Sequence, residues 1–236
     1  MNVQYLDWDS RFFGVRIGRV DISSYQELAM LCTKEIELGK QYDLIYVYCQ
    51  PIVHFEHPNV YLVDEKIIYM KRVTESQPIY ANVCVYPVSV PNEDLYRLAL
   101  ISGEFSRFRN DIRFPKSCYE RLYSRWIEQA VIGNMADKVF IYQDSNHING
   151  MLTLQWNVHK ADIGLVAVDA NVQRQGIGSK MIQTVETYLV QNTQVQILRV
   201  ATQRKNTKAC CLYEKNGFTT ESITKVYHWW LHDGNH

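Results

Sequence analysis

The sequence predicts an α/β (α+β) fold: a mixed β-sheet flanked by helices, preceded by a smaller N-terminal αβ domain. Three observations lead there. Beyond Val139, β-rich apolar runs alternate with helical ones. Residues 1–72 show the same alternation in shorter pieces. Between these stretches Pro78, Pro87 and Pro91 stand among polar residues and mark a boundary, dividing the chain into residues 1–76 and 77–236.

Each element has its own reason. Trp8, Phe12 and Phe13 read as a core-forming opening strand and turn, and Val15 to Val20 as a strand. Tyr25 to Leu38 reads as one helix, because Leu28, Leu31, Cys32, Glu35 and Leu38 recur on one face and Ser23 or Ser24 is placed to cap it. Leu44 to Cys49 is β-rich and mostly apolar, the mark of a buried strand. Tyr61 to Val63 and Ile67 to Met70 read as two further strands. Asn92, Glu93 and Asp94 open a helix that runs through Leu95, Leu98, Ala99 and Ser102. A loop from Ser106 to Lys116 carries Arg107, Arg109 and Arg113 beside Phe108 and Phe114. Tyr119 to Val131 is a helix, with Leu122, Trp126, Ile127 and Ala130 on one stripe. Strands follow at Val139 to Tyr142, Gly150 to Trp156 and Asp162 to Val168. Gly178 to Gln191 is a helix, Val195 to Ala201 a strand, and Asn206 to Lys215 a helix closed by Asn216 and Gly217. Thr220 to Leu231 is the last strand.

Composition narrows the function classes. Of 236 residues 47% are hydrophobic, enough for a packed core. Lys plus Arg and Asp plus Glu number 25 each, so no net charge draws the chain to nucleic acid or to an anionic membrane. The opening residues lack the apolar core of a secretory signal, and no apolar run approaches the ~20 residues needed to span a bilayer. The cysteines, Cys32, Cys49, Cys84, Cys118, Cys210 and Cys211, show neither C-x-x-C pairing nor ligand-like spacing with His. They read as reduced thiols in a cytoplasmic protein that uses no metal.

The stretch from Ile163 to Val168 reads as a strand that runs into Asp169 to Val172, then Gln173, Arg174, Gln175, Gly176, Ile177 and Gly178, then a helix. A strand, a Gly-containing turn and a helix N-terminus make an anion site. The first helical turn has unpaired N–H groups, and the helix dipole adds partial positive charge. Gly176 and Gly178 let an oxygen-rich group approach the backbone, and Arg174 adds a charge-assisted contact. The plain alternative is a strand–helix connection without a ligand. The turn is not a dinucleotide fingerprint, since the second G-x-x-G step is absent.

Gln173, Gly176 and Gly178 fill the positions of the acetyl-CoA motif Q/R-x-x-G-x-G/A, and the segment resembles that of the GNAT acetyltransferases. The resemblance implies that backbone N–H groups from Gln173 to Ser179 bind the CoA pyrophosphate. It also implies that the strand at Val166 to Val168 pairs with the pantetheine arm. A second segment agrees. Asn206, Ala209, Tyr213, Gly217 and Phe218 resemble the second GNAT signature, in which the Asn contacts the CoA arm and the Tyr protonates the departing thiolate. By helical spacing Asn206 and Tyr213 share a face, with Ala209 leaving it open. A phenol of pKa near ~10 is protonated at neutral pH and suits a thiolate leaving group. Backbone N–H groups at Val166 to Val168 are placed to hold the thioester oxygen as charge develops on it. Cys210 and Cys211 read as small packing residues, not nucleophiles.

For the acceptor, three segments resemble one GNAT branch, the TDP-4-amino-4,6-dideoxygalactose (TDP-fucosamine) N-acetyltransferases. They are Trp8 to Val15, Ser106 to Arg109 with Tyr123 to Val131, and Leu198 to Gln203. Residues 40–72 match that branch little, and the tail beyond Leu231 extends past it. The resemblance implies a nucleotide-sugar acceptor and a homodimer. An exposed edge strand at Trp229 and Trp230 could pair across its interface; the plain alternative is an edge covered within one chain. Arg107 and Arg109, with Arg113, suit a pyrophosphate, and Phe108 or Phe114 a base. The plain reading is a solvated loop with ion pairs to Glu104 and Asp111. His159, Asp162 and Asp169 lie near the central strand, but none is singled out as a general base. A water relay serves a sugar amine, which is less basic than lysine. Two other readings remain open: acetylation of a protein or peptide amine, and a CoA-binding module without catalysis.

Overall fold

The computed structural model describes residues 2–144 and 146–232, so all but His232 of the tail beyond Leu231 lies outside the described residues. The chain opens with β1 (Gln4–Tyr5), α1 (Asp7–Phe13) and β2 (Ile17–Ile22). The opening strand and turn expected around Trp8 is instead a helix. Asp7 and Asp9 complement the dipole of its first turn, and Gly14 ends it at φ 74° with its N–H on the Ser10 carbonyl. The helix expected from Tyr25 to Leu38 is two, α2 (Tyr25–Cys32) and α3 (Glu35–Gln41). The Thr33 hydroxyl donates to the Met30 carbonyl (2.8 Å) at the break between them.

Strand β3 (Leu44–Cys49) is as expected, whereas β4 (Val60–Arg72) joins the two short strands into one of 13 residues. A short β5 (Val83–Val85), unforeseen in the sequence, precedes α4 (Glu93–Ser102), which Asn92 caps through the Leu95 N–H. The expected arginine loop contains one helical turn, α5 (Arg107–Asn110), and leads to α6 (Lys116–Val131). Strands β6 (Lys138–Asp144), β7 (His147–Trp156) and β8 (Lys160–Val168) form a meander. Then come α7 (Ile177–Asn192), β9 (Ile197–Gln203), α8 (Thr207–Lys215) and β10 (Thr219–Trp230).

All ten strands join one sheet in the order β1-β2-β3-β10-β4-β9-β8-β7-β6-β5. Only β2/β3 and β8/β9 are parallel; the other pairs are antiparallel. The last strand therefore lies inside the sheet, between β3 and β4. This corrects the expectation of an edge at Trp229 and Trp230: both are buried, and neither is free to pair with a second copy.

Alternation along the strands separates the cores. On β7, Met151 packs with Leu95, Leu98 and Leu122 of α4 and α6, while Leu152 and Leu154 pack with Met181, Val185 and Leu189 of α7. On β3, Tyr46 joins the α4/α6 core, and its neighbours Ile45 and Val47 join one with α2 and α3. Helices thus cover both faces, as expected for a mixed sheet.

One defect opens this sheet. The parallel pairing of β8 with β9 runs only from Lys160↔Ile197 to Ile163↔Val200. Beyond it both strands continue, to Val168 and Gln203, without pairing. On the other side of β8 the register jumps: Leu152 faces Val166 but Leu154 faces Ile163, so Gly164 and Leu165 together oppose Thr153. This bulge fits because Gly164 has no side chain. A Cβ there would lie 2.7 Å from the Thr153 hydroxyl, which accepts the Leu165 N–H at 2.8 Å.

Candidate active site

The gap between β8 and β9 opens into a cleft of about 1300 Å³. One wall is built by the end of β8, the turn before α7, and α8. The Asp169 N–H bonds the Asn149 carbonyl of β7 (2.8 Å). By alternation, the backbone groups of Val166 and Val168 then face away from β7, toward the gap. Val166 and Val168 both line the cleft. The Gln173 amide donates to the Val168 carbonyl (3.1 Å) and accepts from Lys208 of α8 (3.2 Å), which ties the turn to both elements.

The turn itself is shaped by two left-handed residues, Arg174 at φ 66° and Gly176 at φ 76°. A Cβ on Gly176 would meet nothing within 4 Å, so the space before the helix is open. Arg174, Gly176, Gly178 and Ser179 line the cleft there, and Ile177 reaches it while packing in the core. Gln175 is exposed and is not part of the wall. The arrangement has unpaired first-turn N–H groups, a glycine at the approach and basic Arg174 and Lys208 beside it. It fits an oxygen-rich phosphate group.

Helix α8 supplies the second predicted set. Asn206 caps it, accepting from the Ala209 N–H (3.2 Å), and both line the cleft. Tyr213 lies further along the same wall. Its ring packs between Tyr69 and Phe218, at 5.8 Å from each. Burial, with Cys210 adding to it, raises the Tyr213 pKa, so the phenol keeps its proton at any physiological pH.

The facing wall comes from α1, β3, β4 and the α4–α6 region, and its chemistry centres on Arg107. This guanidinium donates to the Tyr48 hydroxyl and lies over the rings of Tyr46 (4.3 Å) and Phe108 (4.7 Å). Burial opposes its charge, but Tyr48, Tyr46 and Asp9 outweigh that effect. Among the described residues no carboxylate lies within 4.0 Å of it. Tyr46 in turn stacks on buried His228 (4.7 Å), whose Nδ1 lies 2.6 Å from Asp111. The Trp230 indole also donates to Asp111, at 2.9 Å. Burial drives the His228 pKa down to about 4 against the pull of Asp111, so the ring under Tyr46 is neutral.

The other loop residues divide. Phe108 touches the cleft but is buried among Phe13, Phe114 and Trp126, and Phe114 is wholly in that core; neither offers a free ring face. Arg109 lies outside the cleft walls, 3.8 Å from Glu104. Arg113 also lies outside, over Tyr61 and Trp230.

Three acidic or aromatic residues in this wall escaped sequence reasoning. Asp64 on β4 lines the cleft, and its Oδ1 is buried without a hydrogen-bond partner. Burial pushes its pKa up to about 7, with Arg107 and Lys66 opposing. It sits where β4 bulges against β10: Val226 faces Asp64 but Tyr227 faces Leu62. Asp9 is likewise raised by burial against Arg107. Trp8 lines the cleft with half its surface exposed. The acids near the central strand are engaged elsewhere: Asp169 pairs with Arg97, and Asp162 with Arg199. Among the described residues no cluster of His, Cys, Asp or Glu is placed to hold a metal, and no helix is long and apolar enough to cross a membrane.

A split mixed sheet with a glycine turn that suits an anion at the split, and a buried phenol lining the same cleft as a half-buried acid, suits a group-transfer enzyme. The acetyltransferase (GNAT) family model matches residues 101–218, half the chain. The chain belongs to that family, whose members use acetyl-CoA, and is an acetyl-transferring enzyme. Over 236 residues it is 27% identical to the dTDP-fucosamine acetyltransferase of Escherichia coli O6:H1, covering 98% of this chain and 97% of that one. Solved structures share the fold. A GCN5-related N-acetyltransferase from Sphaerobacter thermophilus superposes with a TM-score of 0.61 at 15% identity, covering 98% of this chain and 77% of that one. A conserved protein of unknown function from Staphylococcus epidermidis gives 0.60 at 12% identity, covering 96% and 90%.

Proposed function

We propose that the chain transfers the acetyl group of acetyl-CoA to the amine of a TDP-linked amino-deoxysugar by direct attack. The observation that carries this reading is Arg107, a half-buried side chain that has no carboxylate within 4.0 Å among the described residues and lines the same cleft as Tyr213. A cation that no carboxylate pairs suits a doubly charged diphosphate. Whole-length similarity to a dTDP-fucosamine acetyltransferase supports the same acceptor class. In this reading residues 77–236 form the acetyl-CoA wall and supply Arg107 to the acceptor wall, to which residues 1–76 add Trp8, Asp9, Tyr48 and Asp64. On the same reading the enzyme acts in the cytoplasm.

The residues divide the work as follows. Backbone N–H groups from Gln173 to Ser179, with Arg174, hold the CoA pyrophosphate. Asn206 and the edge of β8 hold the pantetheine arm. The N–H groups at Val166 and Val168 receive the charge that develops on the thioester oxygen. Asp64 replaces the water relay expected from sequence: its unpartnered oxygen takes a proton from the attacking amine, and its pKa near neutrality suits that task. As the C–N bond forms and the C–S bond breaks, Tyr213 gives its proton to the thiolate. The test is thiol release from acetyl-CoA with a panel of acceptors. Release with TDP-amino sugars and none with peptides supports the reading; the reverse pattern sinks it.

A further inference from the structure

We propose that the indole of Trp8 is the stacking platform for the nucleobase of the acceptor, at the mouth of the cleft. The inference rests on the nucleotide-sugar reading above and names the part of the site that would recognise the nucleotide.

Trp8 combines two properties that do not ordinarily occur together. It is 50% exposed, and yet it is packed against a ladder of rings. One face lies on Phe12, with ring centroids 5.0 Å apart and planes 11° from parallel. Phe12 meets Phe13 edge-on at 5.0 Å, and Phe13 stacks on Phe108 at 5.1 Å. This four-ring ladder ties the indole to the buried aromatic core. Arg121 locks the middle of it from outside, with its guanidinium 4.7 Å over Phe12 and a 2.7 Å hydrogen bond to the Phe12 carbonyl. One indole face is thus covered, and the residue lines the cleft. A single exposed hydrophobe needs no explanation. A flat, pre-ordered aromatic face bordering a binding cleft does, because a planar ligand can stack there with little further loss of side-chain freedom.

The neighbours suit the rest of what would bind. Trp8, Asp9 and Arg107 all line the cleft. Trp8 is half-exposed, Arg107 and Asp64 are half-buried and Tyr213 is buried, and all four line the cleft. An aromatic platform, a cation and a proton acceptor in one cleft match the chemistry of base, diphosphate and amino sugar. The rings expected from sequence to stack on the base, Phe108 and Phe114, instead form the support beneath Trp8.

The test compares Trp8→Ala and Trp8→Phe with the native chain on two acceptors: the TDP-amino sugar and the same amino sugar as its 1-phosphate, which lacks the nucleoside. Base–aromatic stacking of ordinary strength predicts that Trp8→Ala raises KM for the nucleotide sugar by between about 5-fold and 150-fold. The preference of kcat/KM for the nucleotide sugar over the sugar phosphate falls by the same factor. Trp8→Phe recovers most of it, and the KM for acetyl-CoA stays as in the native chain. Thymidine diphosphate alone quenches tryptophan fluorescence in the native chain but not in Trp8→Phe, although it still inhibits that variant. An unchanged preference in Trp8→Ala overturns the proposal, as does an equal loss on both acceptors. If the native chain turns over neither sugar and thymidine diphosphate does not quench it, the acceptor reading itself has failed. Normal turnover of the nucleotide sugar with no Trp8 dependence defeats the platform alone.

Discussion

Replacing Asp64 with Asn should slow turnover and at the same time stabilise the fold. At pH 8 the folded chain carries a carboxylate at a site that favours the acid, because burial raises its pKa from an ordinary 3.8 to about 7. At roughly 1.36 kcal/mol per pH unit, that difference corresponds to about 4 kcal/mol. Screening by water at the cleft wall reduces it to about 2 kcal/mol. The pH dependence follows from which state holds the proton. Between about pH 4 and pH 7 the folded state keeps the Asp64 proton that the unfolded chain has released. Stability therefore falls as pH rises through that window and is level above it. Asn cannot ionise and is free of this cost. Urea unfolding should show Asp64→Asn more stable than the native chain by about 2 kcal/mol at pH 8, with the two curves meeting near pH 4. The kinetics should move oppositely. In the native chain kcat/KM should rise with pH and level off above about 7, where Asp64 would be ionised. The variant should lose about 100- to 10,000-fold and the acidic limb with it. A native rate with the same acidic limb in Asp64→Asn would refute the assignment of the proton acceptor. Equal stability at pH 8 would refute the buried-charge reasoning.

Other expectations follow from the same geometry. Tyr213→Phe keeps the ring contacts with Tyr69 and Phe218 but lacks the proton, so turnover should drop about 100- to 10,000-fold while CoA titrates as before; an unchanged rate removes Tyr213 from the chemistry. A Cβ on Gly178 would lie 2.9 Å from Leu212, so Gly178→Leu must displace α8 side chains into the CoA wall. Its CoA affinity should fall by roughly tenfold or more, and native affinity by calorimetry would count against the pyrophosphate turn. Arg107→Ala should raise KM for the nucleotide sugar by about 30-fold or more, with Arg107→Lys recovering only part, because an ammonium does not reproduce the planar fork. An Arg107→Ala enzyme with native KM would detach the diphosphate from this wall.

The elements of the proposed acetyl-CoA side were legible in the sequence because their signals are local. Strand, glycine turn, helix and capped second helix follow one another from Ile163 to Tyr213, and periodicity placed each within a few residues. The acceptor side was not, because α1, β3, β4 and α5 are far apart in the sequence and come together only in the folded chain. Strand β4 is instructive. Asp64, Glu65 and Lys66 interrupt its apolar pattern, and the sequence reads as two strands there. In the fold those charges belong to one strand, two of them line the cleft, and one is the candidate base. A break in local pattern coincided with the chemistry. The exposure of the aromatic residues differs from the sequence reading for a similar reason: Trp8 is half-exposed and Phe108 buried. Trp8 reads as core and Phe108 as a ligand contact, since hydrophobicity alone does not say which ring of a ladder is outermost. The pairing of Trp229 and Trp230 with β3 and β4 was invisible because the C-terminal strand inserts between strands more than 150 residues earlier in the chain.

The most direct measurement follows the acetyl group itself. The purified chain is incubated with isotopically labelled acetyl-CoA and a TDP-amino-deoxysugar, and both the nucleotide product and the protein are analysed by mass spectrometry. Direct transfer to the amine predicts one labelled acetyl group on the nucleotide sugar, resistant to hydroxylamine as an amide is, and no label on the protein before acceptor is added. Label held on the protein, or a nucleotide sugar recovered unlabelled while CoA thiol is released to another amine, would contradict it.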